Sequence, residues 1–175
     1  MGYSGTRWVT WHRPLERGIL PLDEAHFSRS LTRTLKQHRY RVSFNEAFDE
    51  VMSACARDPD ECWITGDIRA AYSTLQKQGH AHSVEIWVDD QLAGGLYGVH
   101  IGAAFFAESK FHRVRDMSKV ALAELVNHLR ARDFLLLDVQ YETEHLAQFG
   151  VISLPLPDYT RRLADAVSRE RQFLL

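Results

Sequence analysis

The chain has 175 residues and a mass of 20.2 kDa, 45% of it hydrophobic and 25% charged. That suits one globular domain of roughly 100–200 residues with its own core, and leaves no room for two full ones. Twenty-one basic against 23 acidic residues give a net charge of −2, which excludes a surface basic throughout but not local basic patches. No apolar run approaches the roughly 20 residues that span a bilayer, and no charged-then-apolar leader opens the chain, so a cytoplasmic protein is expected. Cys55 and Cys62 form no C-x-x-C pair and stand near apolar residues, which predicts plain buried thiols.

In chain order, residues 1–25 carry Trp8, Trp11, Pro14, Gly18 and Pro21 without periodicity and read as an irregular wrapping segment; residues 26–175 form the domain. Phe27, Leu31 and Leu35 predict a helix over 27–36. Asn45 is the expected cap of a second, with Phe48, Val51, Met52 and Cys55 on one face. Thr65 caps a third, which carries Ile68, Tyr72 and Leu75 and stops at Gly79. The period then changes to 2. Strands over 83–88, 92–101 and 103–107 form a meander turned at Asp89-Asp90. The longest helix opens at Asp116 or Ser118 and runs to about Arg132; an apolar strand over 134–140, a short helix over 143–149, a strand over 151–154 and a helix from Pro157 or Asp158 to about Arg171 complete the chain. Helices, then an antiparallel meander, then helix–strand–helix–strand, predict an α/β (α+β) fold with a central mixed sheet flanked by helices, the order of the N-acetyltransferase-like fold.

Acyl-CoA enzymes of that fold seat a pyrophosphate on a glycine-rich loop opening the long helix. Here the junction from Phe111 to Lys119 has no glycine, so CoA is not expected as a cofactor. It carries Lys110, Arg113, Arg115 and Lys119, which either contact a nucleic-acid backbone or form a solvated charged surface. Arg29 and Arg33, with Lys36, share one helical face and pose the same choice. Asp138 and Gln140 are two apart on the apolar strand and project from one face. A carboxylate there is costly to bury unless paired, so Asp138 is the leading candidate for acid–base or electrostatic work; a carboxylate capping the next helix is the alternative. Glu108, beside Phe105 and Phe106, either recognises an amine or ribose hydroxyl or pairs with Lys110 or Arg113. His80 and His82 have no cysteine partner and no H-E-x-x-H context, so they read as structural histidines and no metal site is expected.

The segments Cys62-Trp63-Ile64-Thr65, Gly79 to Trp87, Gly94 to Val99, Glu108-Ser109 followed by Phe111, Ser118-Lys119 and Asp138-Val139-Gln140 occur in one order and spacing. Together they resemble the leucyl/phenylalanyl-tRNA–protein transferases, from about Arg17 to Tyr159. The resemblance implies an acetyltransferase-like aminoacyltransferase domain that uses no CoA. Such enzymes take Leu or Phe, with Met a further candidate, from charged tRNA and place it on the N-terminal amine of proteins beginning with Lys or Arg, which marks them for degradation. It implies catalytic roles for Asp138, Gln140 and Glu108, an aromatic contact to adenine from Trp63, an aminoacyl-adenosine site with Ser109, and a side-chain pocket of Leu96, Phe105, Leu122, Leu129 and Leu137.

The chain departs from that pattern at named positions. The Tyr-x-x-Gly-x-Phe-Pro-Trp signature of the family's usual N-terminal domain is not in this sequence, Ala107 stands for Gly, Lys110 for an apolar residue, Thr143 for Asn and Leu129 for a larger aromatic. A different amino-acid preference or a different amine acceptor is therefore the first alternative. A non-catalytic RNA- or peptide-binding module is the second, and a CoA-dependent acyltransferase comes last.

Overall fold

The computed structural model describes residues 14–56 and 63–174. In chain order the elements are β1 (Glu16–Ile19), α1 (Arg29–Gln37), β2 (Arg41–Phe44), α2 (Phe48–Cys55), α3 (Gly66–Lys77), β3 (Ala81–Val88), β4 (Gln91–Ile101), β5 (Ala104–His112), α4 (Met117–Ala131), β6 (Leu136–Gln140), α5 (Glu144–Ala147), β7 (Ile152–Pro155) and α6 (Leu156–Val167). Local chemistry sets several boundaries. Ser28 Oγ accepts from the Leu31 amide and opens α1, which ends where His38 turns left-handed. Thr65 caps α3 through the Ile68 amide, as its sequence predicts. Asp89 and Asp90 both adopt positive φ in the tight β3–β4 turn, a conformation that short polar side chains tolerate.

The seven strands form one mixed sheet in the order β2-β3-β4-β5-β6-β1-β7. Only the β5–β6 pair is parallel, and α4 makes the crossover between them. Successive residues on a strand face opposite sides, so Leu96 packs with α4 while Tyr97 packs with α2 and α3. Phe105 likewise faces α4, while Ala104 faces Ile19, Leu136 and the Tyr159 and Ala166 side chains of α6. Helix α4 buries Val120, Leu122, Leu125, Val126 and Leu129, and each such side chain contributes about 1.5–3 kcal/mol on leaving water.

Five sequence expectations differ from the structure. Within the segment read as irregular, Glu16–Ile19 is a strand between β6 and β7; its pairing comes from neighbours far along the chain, which four residues with a glycine and two charges do not signal. Strand β2 pairs with β3 where none was expected, and Asn45 does not cap α2. At φ 61° Asn45 accepts from the Ser83 amide and meets His82 Nδ1 at 2.9 Å, tying β2 to β3. The third meander strand runs on to His112, which places Glu108 inside it rather than at its end. Helix α6 stops at Val167, and the chain beyond folds back to bury Phe173 against His82, His128 and Phe105. Cys55 is buried as expected; Trp8, Trp11 and Cys62 lie outside the described residues.

The imidazoles around Phe173 make folding sensitive to acid. His82 Nε2 meets His100 Nδ1 at 2.8 Å, and His128 Nε2 donates to the Phe173 carbonyl at 2.6 Å. Burial, reinforced by His100, pushes the His82 pKa down to about 3, and burial also lowers His100 and His128. The unfolded chain therefore takes up protons below pH 6.5 that the folded one refuses, so stability falls as pH drops through that value. Thermal unfolding at pH 5 should show a lower midpoint than at pH 7.5, with a slope of up to about 1.4 kcal/mol per pH unit for each imidazole involved.

Candidate active site

On β6, Leu137 and Val139 face α4, so Asp138 points to the opposite side, where it is wholly buried. Its Oδ2 accepts from Arg17 Nε at 2.7 Å and from the Tyr159 hydroxyl at 2.6 Å. Its Oδ1 accepts from the backbone N–H of Gln140 at 2.7 Å. Strand β1, helix α6 and the end of β6 thus converge on one carboxylate, and burial together with Asp138 holds the Tyr159 hydroxyl in its protonated form. The donor to Oδ1 belongs to Gln140, whose φ of 71° turns the chain out of the sheet. Gly18, opposite Gln140, has no room for a side chain: a Cβ there would lie 2.5 Å from the Tyr141 carbonyl carbon.

Strands β5 and β6 part at this point. Their pairing runs Ala104↔Leu136, Phe105↔Leu137, Phe106↔Asp138 and goes no further. On the other side of β5 the register against β4 slips: Tyr97 faces Ser109 but Gly98 faces Ala107, leaving Glu108 as the extra residue of a bulge. Gly98 permits the slip, since a Cβ there would overlap the Phe106 carbonyl and the Phe105 ring. Gln140 bridges the gap, with Nε2 donating to Glu108 Oε2 at 3.0 Å and to the Ala107 carbonyl at 3.4 Å. Tyr72 of α3 stands near Glu108, and burial together with that charge raises the tyrosine pKa. Burial raises the Glu108 pKa and the charge of Asp138 adds to the rise, while neighbouring Tyr72 opposes it. The gap therefore presents a carboxylate of raised proton affinity beside an amide whose oxygen takes no donor among the described residues.

Asp138, Gln140 and Glu108 come together as one connected group. Trp63, just before α3, and Ser109, beside Tyr97 in the strand pairing, lie on the α2–α3 side of β5. Leu96, Phe105, Leu122, Leu129 and Leu137 share one cluster under α4, each at most 2% exposed, and line neither pocket described below. Lys110, Arg115 and Lys119 line a common pocket at the opening of α4. Arg113 is turned to the protein instead, donating to the Leu92 carbonyl and stacking on Phe111. Arg29 and Arg33 are exposed on α1. Thr143 caps α5 through the Leu146 amide.

Sequence reasoning missed Arg17, Tyr72 and Tyr159 as members of the network. Arg17 fell in the segment without periodicity. Tyr72 and Tyr159 sit at helical spacing with apolar neighbours, and nothing local separates a tyrosine whose hydroxyl is used from one that only packs.

Fold and site together define an α/β protein whose mixed sheet splits at a carboxylate–amide pair. A family model for leucyl/phenylalanyl-tRNA protein transferase matches residues 19–164. The chain belongs to that family, a family of aminoacyltransferase enzymes. Proteins named leucyl/phenylalanyl-tRNA–protein transferase from Zymomonas mobilis, Maricaulis maris and Gloeobacter violaceus are 48%, 49% and 44% identical to it. The alignments cover 91%, 91% and 94% of this chain, and 61%, 76% and 85% of those relatives. Among solved structures, a functionally unknown conserved protein from Staphylococcus epidermidis superposes with a TM-score of 0.53 at 8% identity, over 80% of this chain and 57% of that one, a likeness of fold alone. Among the described residues, no helix is long and apolar enough to cross a membrane.

Asp138 also holds the fold. Read from sequence alone, Asp138→Ala would cost far more activity than stability. The structure couples the two, because the substitution strands the half-buried Arg17 and the Tyr159 hydroxyl. Loss of about 3–5 kcal/mol of folding stability is expected in chemical denaturation, the range for breaking a buried ion pair.

Proposed function

We propose that this chain transfers Leu or Phe, with Met a further candidate, from the 3′ end of a charged tRNA to the N-terminal amine of proteins beginning with Lys or Arg. The transfer marks those proteins for degradation in the bacterial cytoplasm. The observation that carries the reading is the Glu108–Gln140 pair in the β5–β6 gap of a chain from this family. In the reaction the amine nitrogen attacks the ester carbonyl carbon, the bond from that carbon to the ribose oxygen breaks, and the amine proton passes to the departing ribose oxygen, which leaves as a hydroxyl. Gln140 offers its amide oxygen to the attacking N–H, Glu108 holds the amine, and Asp138 fixes Gln140 through its backbone. Aminolysis of an activated ester needs orientation above all, which supplies several kcal/mol.

The donor is the aminoacyl-tRNA itself, with no CoA. Support comes from the bulky, glycine-free β5–α4 junction, and from Trp63 as a stacking surface worth about 1–3 kcal/mol per base. The leucines under α4, with Phe105, supply the apolar surroundings for the aminoacyl side chain. For the acceptor, a pocket beside Gly18 is lined by Glu16, Glu142 and Glu144, and Gly18 is the strand partner of Gln140. Three carboxylates there suit a Lys or Arg side chain.

The first test mixes the protein with labelled leucyl-, phenylalanyl- and methionyl-tRNA and peptides beginning with Arg, Lys or Ala. Label on the Arg and Lys peptides alone is the expected result. Transfer to small amines but to no peptide would support the alternative acceptor, and tRNA binding without turnover would leave a binding module.

Two variants probe the details. Glu108→Gln should lower the rate by about 100-fold, a typical contribution for a positioned proton-transfer or amine-holding group. Wild-type activity should fall on the acid side at a higher pH than an ordinary glutamate dictates, because Glu108 loses its charge early, and the variant should lack that limb. Glu142→Lys should raise KM for an Arg-initiated peptide while leaving kcat within about twofold, since it changes binding of a remote group.

A further inference from the structure

The gap between β5 and β6 has a second mouth, on the α4 face. Lys110 is the strand partner of Leu96, and Leu96 packs under α4, so strand alternation sends Lys110 to the side away from Tyr72 and Tyr97. There it lines a pocket of about 340 Å³ with His112 of β5, Arg115, Asp116, Ser118 and Lys119 at the opening of α4, and His145 of α5. Three elements contribute, and they stand on the two sides of the split: β5 on one, the helix following β6 on the other.

The balance of charge in this pocket is unusual. Asp116 is its one acid among the described residues, and it is already engaged by Lys119 at 2.9 Å and by Arg115 at 3.6 Å. Lys110, partly buried, makes no ion pair among the described residues. Burial and the neighbouring Lys119 lower its pKa to about 8, and burial with the charges of Lys110 and Lys119 also lowers that of His145. The buried Ser118 hydroxyl lies 3.3 Å from His112 Nδ1. Like charges gathered in a partly desolvated cavity are unfavourable until an anion enters, and the same groups then become charge-assisted donors.

We propose that this pocket binds a phosphate group of the 3′-terminal nucleotide of the acyl donor, held by Lys110 and Lys119 with His112, Ser118 and His145 around it. The assignment deepens the aminoacyl-tRNA reading and rests on it for the identity of the donor. Position favours phosphate: Lys110 follows Glu108 by two residues of β5, just past the bulge, so a nucleotide that threads the gap from an ester at Glu108 and Gln140 carries its own phosphate toward Lys110 on the α4 face. Donor chemistry agrees, because groups from three elements surround a tetrahedral oxyanion more fully than a flat carboxylate. A nucleotide phosphate would here be held by side chains, with no glycine loop to offer its backbone.

Calorimetry with adenosine and adenosine 5′-monophosphate reads the phosphate directly. The monophosphate should bind at least tenfold more tightly to the wild-type protein, the effect of one or more charge-assisted contacts. Lys110→Met and Lys119→Met should each bring the two affinities to within about threefold, leaving adenosine unchanged. The preference should weaken as pH rises through 8 in the wild type. Equal binding of the two ligands, or a preference that survives Lys110→Met, overturns the proposal. A separate arm does not need the donor reading: the Lys110 side chain, followed by NMR, should titrate at a higher pH in inorganic phosphate than in chloride at equal ionic strength. No such rise, or an equal rise in acetate, overturns it whether or not either nucleoside binds. Failure of the peptide-transfer assay with these phosphate effects intact would reject the acceptor or the reaction and keep the site.

Discussion

One carboxylate organises the middle of this molecule. Asp138 has no access to water, and a bare charge there would cost several kcal/mol, so its surroundings must supply donors. They do, from Arg17, Tyr159 and the Gln140 amide, which join the N-terminal strand, the last helix and the end of β6. Turning the Gln140 N–H back to Asp138 takes the chain out of the sheet, and the parallel pairing with β5 ends there. The gap that follows is the proposed site. Its two sides are set independently, one by the Asp138 network and the other by the bulge that Gly98 permits, and the Gln140–Glu108 hydrogen bond is where they meet.

The same split sorts charge. On one side, beside Gly18, stand Glu16, Glu142 and Glu144; on the α4 face stand Lys110, Arg115 and Lys119. A net charge of −2 conceals this division, because patches of opposite sign cancel in the sum. In the proposed reaction, an acidic side for a basic amine and a basic side for a phosphorylated donor would bring the two substrates to the gap from different directions, with long-range attraction favouring each at its own mouth.

Where local signals decide local structure, the sequence was readable. Thr65 before an apolar helical repeat, paired aspartates between alternating strands, and a long apolar helix feeding an apolar strand each appear as expected. The candidate site was legible as a grouping: Asp138, Gln140 and Glu108 stand out in the sequence and converge in the structure. Their geometry was not legible. Glu108 looked like a strand end because a bulge is a mismatch between two strands, and one strand's sequence holds only half of it. Strand β1, the bridging role of Asn45 and the return of Phe173 into a histidine-lined core all depend on partners distant in the chain. Asp138 was correctly expected to need a partner, but Arg17 lies 121 residues away with nothing local to mark it.

The measurement that bears most directly on the central claim is a crystal structure with a non-hydrolysable amide analogue of leucyl- or phenylalanyl-adenosine. The analogue's carbonyl and amine should lie in the β5–β6 gap, within hydrogen-bonding distance of Gln140 and Glu108, with the Asp138 network unchanged. An analogue seated elsewhere, or a gap that closes with Gln140 still bonded to Glu108, would contradict it.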